Sequence, residues 1–139
     1  MSLVLDPSLA LSWFFEDERT RVADIVLDQV ARFGAVVPSL WRIEVANGLQ
    51  VAVRRKRIDA AFRDQVLARL AALPITVDHD GDLHAWTTTL SLAERFGLTL
   101  YDSAYLDLAH RGGLPLATLD RALRSAASVL QIALLGHAE

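Results

Sequence analysis

Leu3-Val4-Leu5-Asp6-Pro7-Ser8 is an apolar run that closes on a carboxylate and is followed at once by a proline. Pro7 has no N–H to lose at the first position of a helix, and Asp6 is a residue type that caps one. The stretch reads as a short strand, an acidic hand-over and a helix over residues 8–15. The same alternation recurs along the chain. Val22, Ile25, Val26, Val30 and Phe33 follow helical spacing up to Gly34, and Ala35-Val36-Val37 reads as a second strand. Pro38-Ser39 opens a helix to about Arg55 that is apolar on nearly every side, which predicts a largely buried helix. Asp59 caps the next helix, Pro74 ends it, and Ile75-Thr76-Val77 is a third strand. A helix over residues 82–96 is expected to turn Leu83, Trp86, Leu90 and Ala93 inward, with Gly97 as its C-cap. Residues 101–111 read as a helix, 114–119 as a strand, 121–126 as a short helix and 129–135 as a last strand. This alternation predicts an α/β fold: a three-layer α/β/α sandwich around a short, mainly parallel central sheet, in one domain spanning residues 1–139.

With 139 residues, 53% of them hydrophobic, the chain can build one real core and is not disordered. It has no cysteine, which excludes disulfides and thiolate metal sites and fits a reducing cytoplasm. The first residues carry no basic region or cleavable apolar stretch. No apolar run approaches the ~18 residues of a membrane helix. A net charge of −3 argues against a general nucleic-acid coat protein. The densest basic stretch, Arg54-Arg55-Lys56-Arg57, is either a solvated helix end or a patch for RNA phosphates. His79, His84, His110 and His137 have no metal-ligand spacing, and no GxSxG, GxGxxG or P-loop is present. Trp41 and Trp86 read as core. Trp13-Phe14-Phe15 reads as core too, or as an apolar groove for a partner helix.

The chemistry is concentrated in Asp6, Glu44, Asp102 and Asp120. Each lies where a strand hands over to a helix, or about one turn into that helix. In a parallel sheet all strand carboxyl ends share one edge, so the four carboxylates are expected to meet there. Such a cluster of like charges needs a cation, and oxygen ligands suit a hard one, Mg²⁺ or Mn²⁺. Taken singly, Asp6, Asp102 and Asp120 could serve only as helix caps, Asp102 through the capping box Thr99-Leu100-Tyr101-Asp102. Glu44 resists that reading, since it is placed more than one turn inside its helix on a mostly apolar face. Asn47, three residues on, could orient it. Asp107 falls about 140° from Asp102 around a helix, which suggests a surface charge or, failing that, a part in the outer shell of the site. Together the four point to metal-assisted phosphodiester hydrolysis.

The stretches LVLDPSLALSWFFEDE, VVPSLWRIEVANGL, LTLYDSAYLDLA and LPLATLDRAL resemble the four motif regions of PIN-domain ribonucleases, in particular the VapC-type toxins of bacterial toxin–antitoxin pairs. The resemblance runs from Leu3 to about Ala126. It implies Asp6, Glu44, Asp102 and Asp120 as a catalytic, metal-binding quartet. It places Ser8 and Thr118 at small hydroxyl positions beside the site and Asn47 at a helical amide position. It also implies a PIN-like fold, Mg²⁺ or Mn²⁺, RNA cleavage, a homodimer and an antitoxin partner. Two other classes compete. A phosphoryl-transfer or phosphohydrolase domain also gathers strand-end aspartates. A receiver of that kind needs a strand-end lysine, and the only lysine is Lys56; the phosphatase pattern has a second aspartate two residues after the first, where this chain has Ser8. The other class is a non-catalytic binding module whose carboxylates only cap helices.

Overall fold

The computed structural model describes residues 2–136. Strand β1, Leu3–Leu5, is buried at all three positions. A strand without an exposed face needs cover on both sides, which is how parallel sheets are built. Helix α1 (Pro7–Ser12) leaves it directly, and α2 (Arg21–Phe33), capped by Thr20, returns the chain to β2 (Ala35–Pro38). Gly34 makes that return at φ 81°, where a Cβ would lie 2.9 Å from the Pro74 carbonyl oxygen. Helices α3 (Trp41–Arg54) and α4 (Ala60–Ala71) lead to β3 (Ile75–Asp78). Next, α5 (Gly81–His84), a π-helical turn over Ala85–Thr89 and α6 (Leu90–Phe96) follow one another without a break. Then come α7 (Leu100–Gly112), β4 (Leu116–Ala117), α8 (Arg121–Val129) and β5 (Leu134–Leu135).

The five strands are parallel in the order β3-β2-β1-β4-β5, with Val4 of β1 opposite Val36 on one side and Leu116 on the other. From β1 the chain steps outward to β2 and β3, then crosses back to β4 and β5 beyond β1. Right-handed crossovers put the helices of the two directions on opposite faces. The packing agrees: α1 contacts α2 and α3, and α3 contacts α4, whereas α7 contacts α6, α8 and the strands β1, β2 and β4. The sequence expectation of a three-layer α/β/α sandwich holds. The change of direction falls between β1 and β4, and such a point opens a crevice at the strand carboxyl ends.

Several local expectations fail. Helix α3 buries Trp41, Val45, Leu49 and Ala52, but Ile43 is 76% exposed: α3 sits in an outer layer and keeps one face in solvent. In the 81–96 segment Ala93 is buried, while Leu83 (77%), Trp86 (89%) and Leu90 (48%) are exposed, so Trp86 is not core. The π turn widens the helix locally, and a 3.6-residue period cannot be carried through it. Helix α8 continues to Val129 and leaves β5 only two residues; β4 is equally short. Trp13 and Phe15 are core, and Trp13 Nε1 donates to the Ala23 carbonyl at 2.8 Å. Among the described residues no helix is long and apolar enough to cross a membrane.

Candidate active site

The crevice between β1 and β4 is held together by hydroxyl groups around Asp6. Its Oδ2 accepts from the Ser8 backbone N–H at 3.1 Å, from Thr118 Oγ1 at 3.0 Å and from the Ser8 hydroxyl. Ser8 Oγ in turn accepts from Leu119 N–H, and Thr118 Oγ1 from Asp120 N–H, both at 3.0 Å. Ser8 and Thr118 thus tie the end of β1 to the turn after β4. All of this falls on one oxygen, and Oδ1 takes part in none of it. Asp6 and Thr118 are both buried. Burial, opposed by the hydrogen bonds from Ser8 and Thr118, pushes the Asp6 carboxyl up to about 6, and nearby Asp102 acts in the same direction.

Asp120 caps α8 through Oδ1, which accepts from Leu123 N–H at 2.9 Å. Asp102 does not cap α7. Thr99 does, accepting from Asp102 N–H at 3.1 Å, so the Asp102 carboxylate is not the group that starts the helix. Burial and the charge of Asp120 raise the Asp102 pKa above the usual carboxylate range. Glu44 lies in the first turn of α3, not deeper, because the helix starts at Trp41 rather than at Pro38. There the positive end of the helix favours a carboxylate. Burial raises its pKa, a hydrogen bond from Tyr105 lowers it, and Asp102 adds to the rise. Asp102 is therefore the common neighbour: it acts on Asp6 and on Glu44, and Asp120 acts on it. Among the described residues no three carboxylates or imidazoles are drawn into a ready ligand cage. The donor set nonetheless fits a hard divalent cation: the groups are carboxylate oxygens, and three of the four have their pKa raised by burial and, in smaller part, by one another's charge.

Sequence reasoning missed Tyr105. Its hydroxyl donates to Glu44 Oε1 at 2.6 Å, and its ring is fully buried. The signal was present: Tyr105 is three residues after Asp102, on the same face of α7. Asn47 is exposed, and the hydrogen bond that reaches Glu44 comes from Tyr105 instead. Asp107 is 2% exposed and not a surface charge. It accepts from Arg111 Nε at 2.7 Å and from Thr88 Oγ1 at 2.8 Å, and Arg111 Nη2 reaches Asp78 at 3.0 Å. Rotation away from Asp102 turns Asp107 towards the π turn, not towards water. The basic run lies at the far end of α3, about 15 Å along the axis from Glu44 at 1.5 Å per residue. Arg57 there is engaged with Asp17 at 2.6 Å and Glu18 at 2.9 Å, and its guanidinium lies 4.1 Å from the Phe15 ring centroid. His79 and His110 are exposed, and His137 lies outside the described residues.

Known proteins are similar to this chain in sequence and in fold. Ribonuclease VapC3 of Pyrobaculum aerophilum is 29% identical over 123 residues, covering 88% of this chain and 92% of that protein. Among solved structures, PAE2754 of Pyrobaculum aerophilum superposes with a TM-score of 0.66 at 24% identity, over 94% of this chain and 96% of that one. FitAcB of Neisseria gonorrhoeae gives a TM-score of 0.64 at 16% identity, covering 98% and 97% of the two chains. VapBC2 of Rickettsia felis, bound to a DNA fragment from its promoter, gives 0.60 at 12% identity, over 96% and 97%. At these identities the structures speak to the fold alone. The model of the PIN domain matches residues 3–129, nearly the whole chain, and by that match the chain belongs to the PIN-domain family.

Proposed function

We propose that this protein is a metal-dependent endoribonuclease and the toxin of a toxin–antitoxin pair. The observation that carries the reading is Asp102: a half-buried carboxylate, hydrogen-bonded by the Thr99 hydroxyl, whose charge acts on Asp6 and Glu44 and is acted on by Asp120 at the β1/β4 crevice. Helix capping accounts for Asp6 and Asp120, whereas α3 has no side-chain cap and the cap of α7 is Thr99, not Asp102. The likeness to Ribonuclease VapC3 supports RNA as the substrate and a toxin's function.

Asp6, Glu44, Asp102 and Asp120 would hold Mg²⁺ or Mn²⁺. When bound, the cation activates water and neutralises charge on the phosphodiester. Ser8 and Thr118 fix Asp6 by one oxygen, so that the other is the one presented to a ligand. Arg54, Arg55 and Lys56, exposed at the far end of α3, would hold the RNA backbone at a distance from the cut; Arg57 is already committed to Asp17 and Glu18. The decisive assay is RNA cleavage by the purified, antitoxin-free chain. Cleavage with Mn²⁺ or Mg²⁺ should stop in excess chelator and in Asp6→Asn. Cleavage that survives either one overturns the reading.

Two surfaces support the partners. A recess of about 750 Å³ between the end of α3 and the start of α4, with Phe14, Val53, Ile58 and Phe62 beside Lys56 and Asp59 in its lining, suits an apolar antitoxin segment. Leu83, Trp86 and Leu90 leave an uncovered apolar face, which a second copy of the chain would cover in a homodimer. The pair would act in the cytoplasm. Trp86→Glu should shift the chain to monomer in sedimentation, while co-purification of the neighbouring gene product should survive. A chain that is monomeric before the substitution contradicts the homodimer.

A further inference from the structure

Nothing in the carboxylate quartet explains why a tyrosine hydroxyl is buried against Glu44. Tyr105 is 0% exposed, and a phenylalanine would fill the same volume without a polar group to satisfy. Among the described residues Trp41 Nε1 is the sole buried side-chain polar atom left unpartnered; Tyr105 Oη gives its one proton to Glu44 Oε1, at 2.6 Å. The bond joins opposite faces of the sheet, since α3 and α7 belong to different layers. Helix α7 therefore does two things one turn apart. It supplies Asp102 to the crevice, and three residues later it supplies the hydroxyl that grips the carboxylate delivered by α3.

We infer that Tyr105 is the positioning residue for Glu44: by occupying Oε1 it fixes the carboxylate and leaves Oε2 for the divalent cation. The inference rests on the proposed metal-nuclease reading and extends it to a residue outside the acidic quartet. The donor must be a hydroxyl. Hydrogen bonds to ionised groups are the strong ones, and a group that orients a metal ligand commonly changes metal affinity by about 10–100-fold.

Tyr105→Phe keeps the ring and removes only the donor. Mn²⁺ titration of the folded variant, by calorimetry or electron paramagnetic resonance, should show binding about 10–100-fold weaker than in the parent. In a Glu44→Gln background the same substitution should cause no further loss. A purely structural hydroxyl would lower the melting temperature in chelator yet leave Mn²⁺ affinity within twofold, and that result overturns the inference. A second measurement needs no substitution at Tyr105. The chain has two tyrosines, so ring-carbon labelling gives two resonances, and Tyr101→Phe identifies the other. The Tyr105 resonance should move on Mg²⁺ saturation, and cease to respond in Glu44→Gln. A resonance that stays still at saturating Mg²⁺ rejects the inference while the metal site stands. A parent chain that binds neither ion rejects both.

Discussion

Asp6 shows how a single residue can serve the fold and work against it. It caps α1 and is hydrogen-bonded by Ser8 and Thr118, yet burial holds its carboxyl at about 6 against an ordinary 3.8. A folded-state pKa above the unfolded one means that the native chain binds the proton more tightly. Its contribution to stability is full below about pH 3.8 and is lost as pH rises through about 6. In chelator at pH 7, Asp6→Asn should therefore be more stable than the parent, by up to about 3 kcal/mol. Asparagine keeps the cap. The gain should vanish as pH falls below about 4, and denaturant melts at the two pH values measure it. The same variant should be inactive. A destabilised Asp6→Asn at pH 7 would show that the buried charge is already compensated within the protein.

At the scale of elements, the Asp107–Arg111 pair locks the π turn. Thr88 donates to Asp107 from that turn, and Arg111 ties α7 to Asp78 at the end of β3. Removing the cation would strand a carboxylate that is 2% exposed. Arg111→Met should destabilise the fold by on the order of 3 kcal/mol. It should also raise hydrogen exchange over residues 85–89 before it does so in β1. Uniform exchange across both segments would mean that the pair serves the whole fold and not this turn. The neighbouring quartet is untouched, so residual cleavage per folded molecule should persist.

For the molecule as a whole, order along the sheet matters more than any helix. The reversal at β1 and β4 gathers four acidic residues that lie far apart in sequence. In the absence of a cation they repel, and folding works against that repulsion. Mn²⁺ should therefore raise the melting temperature of the parent, with stabilisation of about 2.7 kcal/mol at a hundredfold excess over Kd. Asp102→Asn, at the shared neighbour of the cluster, should lose most of that rise. A rise equal in Asp102→Asn and the parent would place the ion elsewhere.

Much of this was legible in the residues. Leu3-Val4-Leu5-Asp6-Pro7 states a buried strand, a cap and a helix start, because each depends on neighbours one to three positions away. Strand and helix alternation then leaves few topologies open, and the acidic residues stand out by their place at the hand-overs. What is not local could not be read. The start of α3 at Trp41 moved Glu44 into the first turn. The π turn broke the period that had placed Trp86 inside, and Asp107 proved buried because Thr88 of that turn meets it while Arg111 of its own helix ties it on to Asp78. Tyr105 meets Glu44 only when the layers close on the sheet. Capping and turn chemistry act over a few bonds and are written in the sequence. Burial, hydrogen bonding across layers and the meeting of distant charges depend on distances that exist only after the chain has packed, and the tertiary structure alone decides them.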